Sequence, residues 1–128
     1  DTPVYIYHYG YVPANMNEWM RYGAGHGAEI AYVFNNLNAG RGASEVTPED
    51  EKVAEILNTY WVNFAKTGDP NDVGLPVWPR YNTEKEKILD IQPDGNIVGK
   101  QDTRKTRLDV IEKALNIKRI TIQSRGGI

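Results

Sequence analysis

Residues 25–34 read Gly25-His26-Gly27-Ala28-Glu29-Ile30-Ala31-Tyr32-Val33-Phe34. A histidine stands between two glycines, and an apolar period begins directly after it. Ile30, Val33, Phe34 and Leu37 fall at spacings of 3, 4 and 7, which is one face of a helix. Asn36, Asn38 and Gly40 then supply stop signals. Upstream, Val4-Tyr5-Ile6-Tyr7-His8-Tyr9 is β-branched and aromatic, bounded by Pro3 and Gly10, and predicts a strand. Val4, Ile6 and His8 would face one side and Tyr5, Tyr7 and Tyr9 the other. A strand bulky on both faces belongs inside a sheet covered on both sides. Between strand and histidine, residues 11–26 carry Pro13, Gly23 and Gly25 with no clean period and read as loop, with a helical turn from Asn17 to Tyr22.

Downstream, residues 38–46 are small and polar and read as a surface loop. The strongest helix follows. Thr47 can cap it, Pro48 suits its first position, and Glu49 and Asp50 favour its positive end. Val53, Ile56, Leu57, Tyr60, Trp61 and Phe64 make its buried stripe, Lys66 closes the last turn, and Gly68 with Pro70 stops it. Residues 69–83 are irregular. Ile88–Ile91 reads as a short strand, Pro93-Asp94-Gly95-Asn96 as a turn, and Ile97-Val98 as a short returning strand. Thr103–Leu115 is a helix with Leu108, Ile111 and Leu115 on one face. Beyond it lies a tail, residues 116–128, in which Ile120 and Ile122 alternate with polar residues as a last strand and Arg125–Ile128 frays. The pattern is a single α/β unit of few strands with about three helices, and its sheet is incomplete.

Composition narrows the function. The chain has 128 residues, 40% hydrophobic and 25% charged, which fits one domain with a modest core and excludes disordered and collagen-like classes. No apolar run approaches the ~18–20 residues that span a bilayer. A net charge of −2 gives no basic field for nucleic acid. The densest basic stretch, Lys100 to Arg107, is broken by Asp102 and reads as a solvated helix start. There is no cysteine, so disulfides, thiolate chemistry and cysteine-based zinc sites are excluded. Neither His8 nor His26 has a zinc-protease partner spacing, no calcium loop is present, and no cofactor is expected. Gly23-Ala24-Gly25-His26-Gly27 lacks the spacing and the Lys-Ser/Thr of a phosphate cradle.

A histidine flanked by glycines can be presented at a tight loop, accept a serine proton and return it to a leaving group. Taken alone, a loop histidine is more often a surface or hydrogen-bonded structural residue. The surrounding sequence shifts that balance. Gly25 to Phe34 resembles the segment around the catalytic histidine of the type-B carboxylesterase/cholinesterase family, whose pattern is His-Gly-x-Glu-Ile followed shortly by Val-Phe. Tyr60-Trp61-Val62-Asn63-Phe64-Ala65-Lys66-Thr67-Gly68-Asp69-Pro70-Asn71 resembles a C-terminal helix of that family and the stop after it. Trp78-Pro79-Arg80-Tyr81 is similar to its Trp-Pro-x-Tyr, and the strand before Val12-Pro13 also fits. The resemblance covers residues 3 to about 115 and is nearest to the bacterial para-nitrobenzyl-esterase-like branch.

The resemblance implies an α/β-hydrolase fold and hydrolysis of small carboxylic esters through an acyl-serine intermediate. It implies His26 as general base and then general acid, with a glutamate on its other nitrogen and backbone amides stabilising the oxyanion. The chain departs from the family at one point: the nucleophile elbow Gly-x-Ser-x-Gly is not in it, and neither Ser44 nor Ser124 fits that pattern. The triad order in this fold is serine, acid, histidine. The expectation is therefore the C-terminal part of a longer enzyme, inactive alone, whose partners are the ester and the missing N-terminal part. A non-catalytic binding or adhesion protein on the same scaffold is the alternative, discriminated by the residue at the elbow. Glu29 is read as bracing the loop or helix start rather than as the triad acid, His8 as a core or supporting residue, and Trp61 and Trp78 as packing. Tyr11, Trp19 and Tyr22 are placed to line a pocket before the histidine. The half-exposed sheet predicts a homo-oligomer or strand exchange.

Overall fold

The computed structural model describes residues 2–16, 18–38 and 46–125, with side chains up to residue 116. Its elements are β1 (Tyr7–Tyr9), a 3-10 turn (Ala14–Met16), α1 (Ile30–Val33), α2 (Pro48–Thr67), β2 (Lys87–Ile91), β3 (Ile97–Gln101) and α3 (Lys105–Arg125). The sheet runs β1-β2-β3. β1 pairs parallel with β2, with Tyr7 beside Leu89 and Tyr9 beside Ile91. β2 pairs antiparallel with β3, with Leu89 beside Gly99 and Ile91 beside Ile97.

The core lies on one face of this sheet. Tyr7, Tyr9, Leu89, Ile91 and Ile97 meet α2 through Val53, Ala54, Leu57 and Tyr60, and meet α1 through Tyr32 and Val33. Trp78 knits the end of the core nearest Tyr5: its ring stands edge-on to Tyr5, Tyr7 and Tyr60 at centroid distances of 6.0, 5.9 and 5.3 Å. Its indole Nε1–H donates to the Ile6 carbonyl at 3.0 Å, which fixes the irregular 69–83 segment against the strand. Gly99 lies in the register of the core-facing Leu89, where a Cβ would press on the Val77 carbonyl and approach Pro79 Cδ at 2.9 Å. Here the backbone of β3 passes under that segment too closely for any side chain.

α2 forms as its end signals dictate. Thr47 accepts from the Asp50 N–H at 3.2 Å while the Asp50 carboxylate accepts from the Thr47 N–H at 2.9 Å, a reciprocal capping box followed by Pro48. Gly68 ends the helix at φ +78°, its N–H donating to the Phe64 carbonyl at 2.8 Å.

Four expectations change. The strand expected over Val4–Tyr9 forms a ladder only from Tyr7; at Tyr5 the chain instead bridges Arg80. The helix expected to run to Leu37 ends after Val33. Asn35 adopts φ +47°, and the Asn35 and Asn36 N–H groups close back on Tyr32 and Ala31 at 3.1 and 2.8 Å, a Schellman stop with asparagine in the left-handed place. Its buried side chains are Tyr32 and Val33, whereas Ile30 and Phe34 are exposed. The last strand expected over 120–123 is absent, because α3 continues through it to Arg125. A helix already under way needs only one more hydrogen bond per residue, and a two-residue alternation has no neighbouring strand to pair with among the described residues. The frayed end at 126–128 lies outside the described residues.

Candidate active site

His26 lies in a turn that follows Gly23 and Gly25 and precedes α1. Gly23 at φ +105° and Gly27 at φ +74° take conformations that favour glycine, so the turn around the imidazole is built from residues without a Cβ. The Ala28 N–H donates to the Gly25 carbonyl and the Ile30 N–H to the Gly27 carbonyl, both at 3.2 Å, so the chain coils tightly past the histidine into the helix. His26 is exposed, and its ring makes no hydrogen bond to another described residue.

Glu29 is the N-cap residue of α1 but makes no side-chain cap. Its carboxylate faces the Tyr7 hydroxyl at 3.5 Å, a long contact that leans the helix start on β1. Burial, with the Glu29 charge added, pushes the Tyr7 hydroxyl above its ordinary pKa. Trp19 and Tyr22 project from the same loop, 84% and 89% exposed, with the Arg21 guanidinium 4.7 Å from the Tyr22 ring centre. Tyr11, expected beside them, is instead buried in the core.

His8 belongs to a different cluster, on the sheet face away from the core. Its Nδ1–H donates to Asp90 Oδ1 at 2.8 Å, and Lys100 Nζ lies 2.6 Å from Asp90 Oδ2. One carboxylate thus ties the three strands together. Burial alone would raise the Asp90 pKa, but the hydrogen bonds from Lys100 and His8 outweigh it and hold the group below the usual carboxylate range. The basic stretch that starts at Lys100 continues this pairing: Arg104 meets Asp102 at 2.9 Å, and Lys105 meets Glu86 and Asp109 at 3.2 and 3.0 Å. Neither this cluster nor the buried Asp50 carboxylate, which accepts from Tyr11 and Tyr32, follows from spacing in the sequence. For Asp50 the capping-box pattern with Thr47 is the one local signal.

A cleft of about 170 Å³ lies beside α2, lined by Tyr5, Tyr7, Tyr60, Trp61, Phe64 and Trp78. It contains neither histidine, and Trp61 also lines a second cleft with Tyr7, Glu29, Ile30, Val33 and Phe34. Among the described residues no group of three or more His, Asp or Glu is placed to hold a metal ion, and no helix is long and apolar enough to cross a membrane.

Comparison with known proteins converges on one family. A family model described as "Carboxylesterase family" matches residues 1–111. The human protein named cocaine esterase is 33% identical over 99 residues, covering 72% of this chain and 17% of its own length. The medium-chain fatty acyl-CoA hydrolase precursor of Anas platyrhynchos is 34% identical over 108 residues, covering 81% of this chain and 18% of its own. Among solved structures, a PNB esterase superposes with a TM-score of 0.66 at 25% identity, covering 84% of this chain and 21% of its own. A Geobacillus stearothermophilus carboxylesterase superposes at 0.60 with 30% identity, covering 81% and 21%. The chain thus spans less than a fifth of these curated relatives and about a fifth of these structures. Among the described residues, a three-stranded partial sheet and three α-helices make up part of the α/β-hydrolase fold, and the chain belongs to the carboxylesterase family.

Proposed function

We propose that His26 is the general base, and then the general acid, of a serine carboxylesterase triad. The observation that carries the reading is the placement of His26 in an exposed, glycine-built turn, with no hydrogen bond to a described residue, inside the stretch that matches the family. In this reading the histidine takes the proton of a serine as that serine attacks the ester carbonyl, then returns it to the departing alkoxide. Water repeats the sequence on the acyl-serine. The serine elbow, the orienting acid and the oxyanion amides come from polypeptide outside these 128 residues, since no Gly-x-Ser-x-Gly is present in them. The chain alone then turns over no ester. The substrate is a small carboxylic ester, in keeping with the esterase and acyl-hydrolase names of the relatives.

The test is turnover of a short-chain nitrophenyl ester by the chain alone, and by the complete esterase with the elbow-bearing polypeptide present. His26→Ala should lower kcat in the complete enzyme by about a thousandfold or more. A loss below about tenfold, or turnover by the isolated chain that survives the substitution, refutes the role. The edge of β1 away from β2 pairs with nothing among the described residues, and it supports self-association of the chain when studied alone. Sedimentation that shows only monomer across concentrations removes that part of the proposal.

A further inference from the structure

The segment bearing His26 leaves the sheet just after β1, at Tyr11, and re-enters the core at Tyr32 in α1. Its two stems stand against each other, Tyr11 edge-on to Tyr32 with ring centres 5.4 Å apart. Both hydroxyls donate to one oxygen of one carboxylate: Tyr11 Oη lies 3.0 Å and Tyr32 Oη 2.7 Å from Asp50 Oδ1. The other oxygen, Oδ2, accepts the N–H and the hydroxyl of Thr47 at 2.9 and 2.7 Å. Asp50 is 1% exposed, so the bonds it makes are sheltered from water. Burial would raise its pKa, yet the bonds from Tyr32, Thr47 and Tyr11 outweigh burial and keep it a carboxylate.

A capping box needs only one carboxylate oxygen. Oδ2 fulfils that task, so the two tyrosine bonds on Oδ1 are surplus to capping α2. They are not surplus to the loop. The backbone bonds of the loop itself stay local: Met16 to Pro13, Met20 to Met16, Gly23 to Met20 and Ala28 to Gly25, at 2.8–3.2 Å. Those bonds shape the loop without attaching it. Attachment is at the base, where Gly10 donates to the Ile91 carbonyl at 2.7 Å, Val12 to the Pro93 carbonyl at 3.3 Å, and the two tyrosines to Asp50, with the long Tyr7 contact to Glu29 at 3.5 Å beside them.

We infer that Asp50, by receiving the Tyr11 and Tyr32 hydroxyls on one oxygen, clamps the two stems of the loop and so fixes the direction in which His26 is presented. It is a positioning residue for ester hydrolysis, an inference that rests on the role proposed above for His26. Its carboxylate touches neither the ester nor the reacting atoms. The catalytic consequence follows because a base displaced by about 1 Å can lose about a hundredfold in rate with little effect on binding.

Two measurements on the Tyr32→Phe and Tyr11→Phe/Tyr32→Phe variants test this, with Ile88→Val, buried outside the cluster that holds the two tyrosines, as a control substitution. The first is amide hydrogen exchange in the chain. Exchange at Met20, Gly23 and Ala28 should rise about tenfold or more in the tyrosine variants while Leu89 keeps its protection, and Ile88→Val should show no such selectivity. The second is kinetics in the complete esterase, where kcat should fall about ten- to a hundredfold with KM changed by less than about twofold. Asp50→Glu, which keeps a carboxylate, should retain more of kcat than Asp50→Asn. Unchanged loop exchange overturns the clamp. Increased exchange with unchanged kcat overturns the positioning role. If the double variant does not fold, Tyr32→Phe alone decides both points. If His26→Ala leaves turnover intact, the triad reading fails by itself, and the exchange comparison still decides whether the clamp exists.

Discussion

Replacing Trp78 by alanine should cost this chain a large share of its stability. Trp78 is 5% exposed and meets four aromatic rings, Tyr5, Tyr7, Tyr60 and Trp61, at centroid distances of 5.3–6.0 Å. A buried tryptophan removes about 150–250 Å² from water, and at about 25 cal/mol per Å² that is about 4–6 kcal/mol, an upper bound that the retained alanine methyl reduces. The lost indole N–H leaves the Ile6 carbonyl without its bond from Nε1, which costs about a further 1 kcal/mol. An expected loss of about 4–5 kcal/mol also matches the range for removing a large aromatic side chain from a core. With a urea m-value of about 2 kcal/mol per M, the midpoint should fall by about 2 M at unchanged m. Trp78→Phe keeps a ring but loses the donor and part of the area, and should lose about half as much. Urea unfolding followed by far-UV circular dichroism measures both. A loss below about 1 kcal/mol for Trp78→Ala would show that the tryptophan sits over a hollow rather than holding the strand to α2.

The Tyr9 hydroxyl is buried with no hydrogen-bond partner among the described residues, so Tyr9→Phe should be neutral or stabilising by about 1 kcal/mol; a loss above that would reveal a partner for the hydroxyl. Gly99→Ala should lose about 2 kcal/mol or more, because the new methyl meets the Val77 carbonyl and the Pro79 ring, and an unchanged melting temperature would refute that close approach. Asp90 is held below its unfolded pKa, so its contribution to stability is full above about pH 4 and is lost as pH falls through the lower folded value. Asp90→Asn should therefore flatten the acid limb of a melting-temperature profile from pH 5 to 2, and an identical limb in both proteins would exclude the three-strand tie.

The parts of this fold legible in the sequence are those whose cause is local. Thr47, Pro48 and Asp50 state where α2 begins, and Gly68 states where it ends, because capping involves residues within one turn of each other. The stop of α1 was also local, an asparagine signal realised at Asn35, but of the expected face Val33 is buried while Ile30 and Phe34 are exposed and Tyr32 is buried instead. At the candidate site, the tight turn around His26 was legible in its glycines, and the role proposed for His26 rests on the family motif. The bonds around it were not. Tyr11 and Tyr32 reach Asp50 across 39 and 18 positions, and His8 reaches Asp90 across 82, distances at which spacing carries no signal. A carboxylate on the helix surface and one sealed beneath two tyrosines look alike until the chain is folded.

The parallel pairing of β1 with β2 has a consequence in time. Its ladder joins His8 to Asp90, whereas β2 and β3 close through the short turn at Gly95. Loop closure is faster for the near pair, so the hairpin and α2 can organise before β1 joins β2. During synthesis the order of appearance is the reverse. At about 5–20 residues per second, the tyrosine-rich β1 leaves the ribosome several seconds before its partner strand exists. Through that interval the aromatic tract that will become the floor of the core is an adhesive segment, and the yield of folded protein depends on what shields it until β2 arrives.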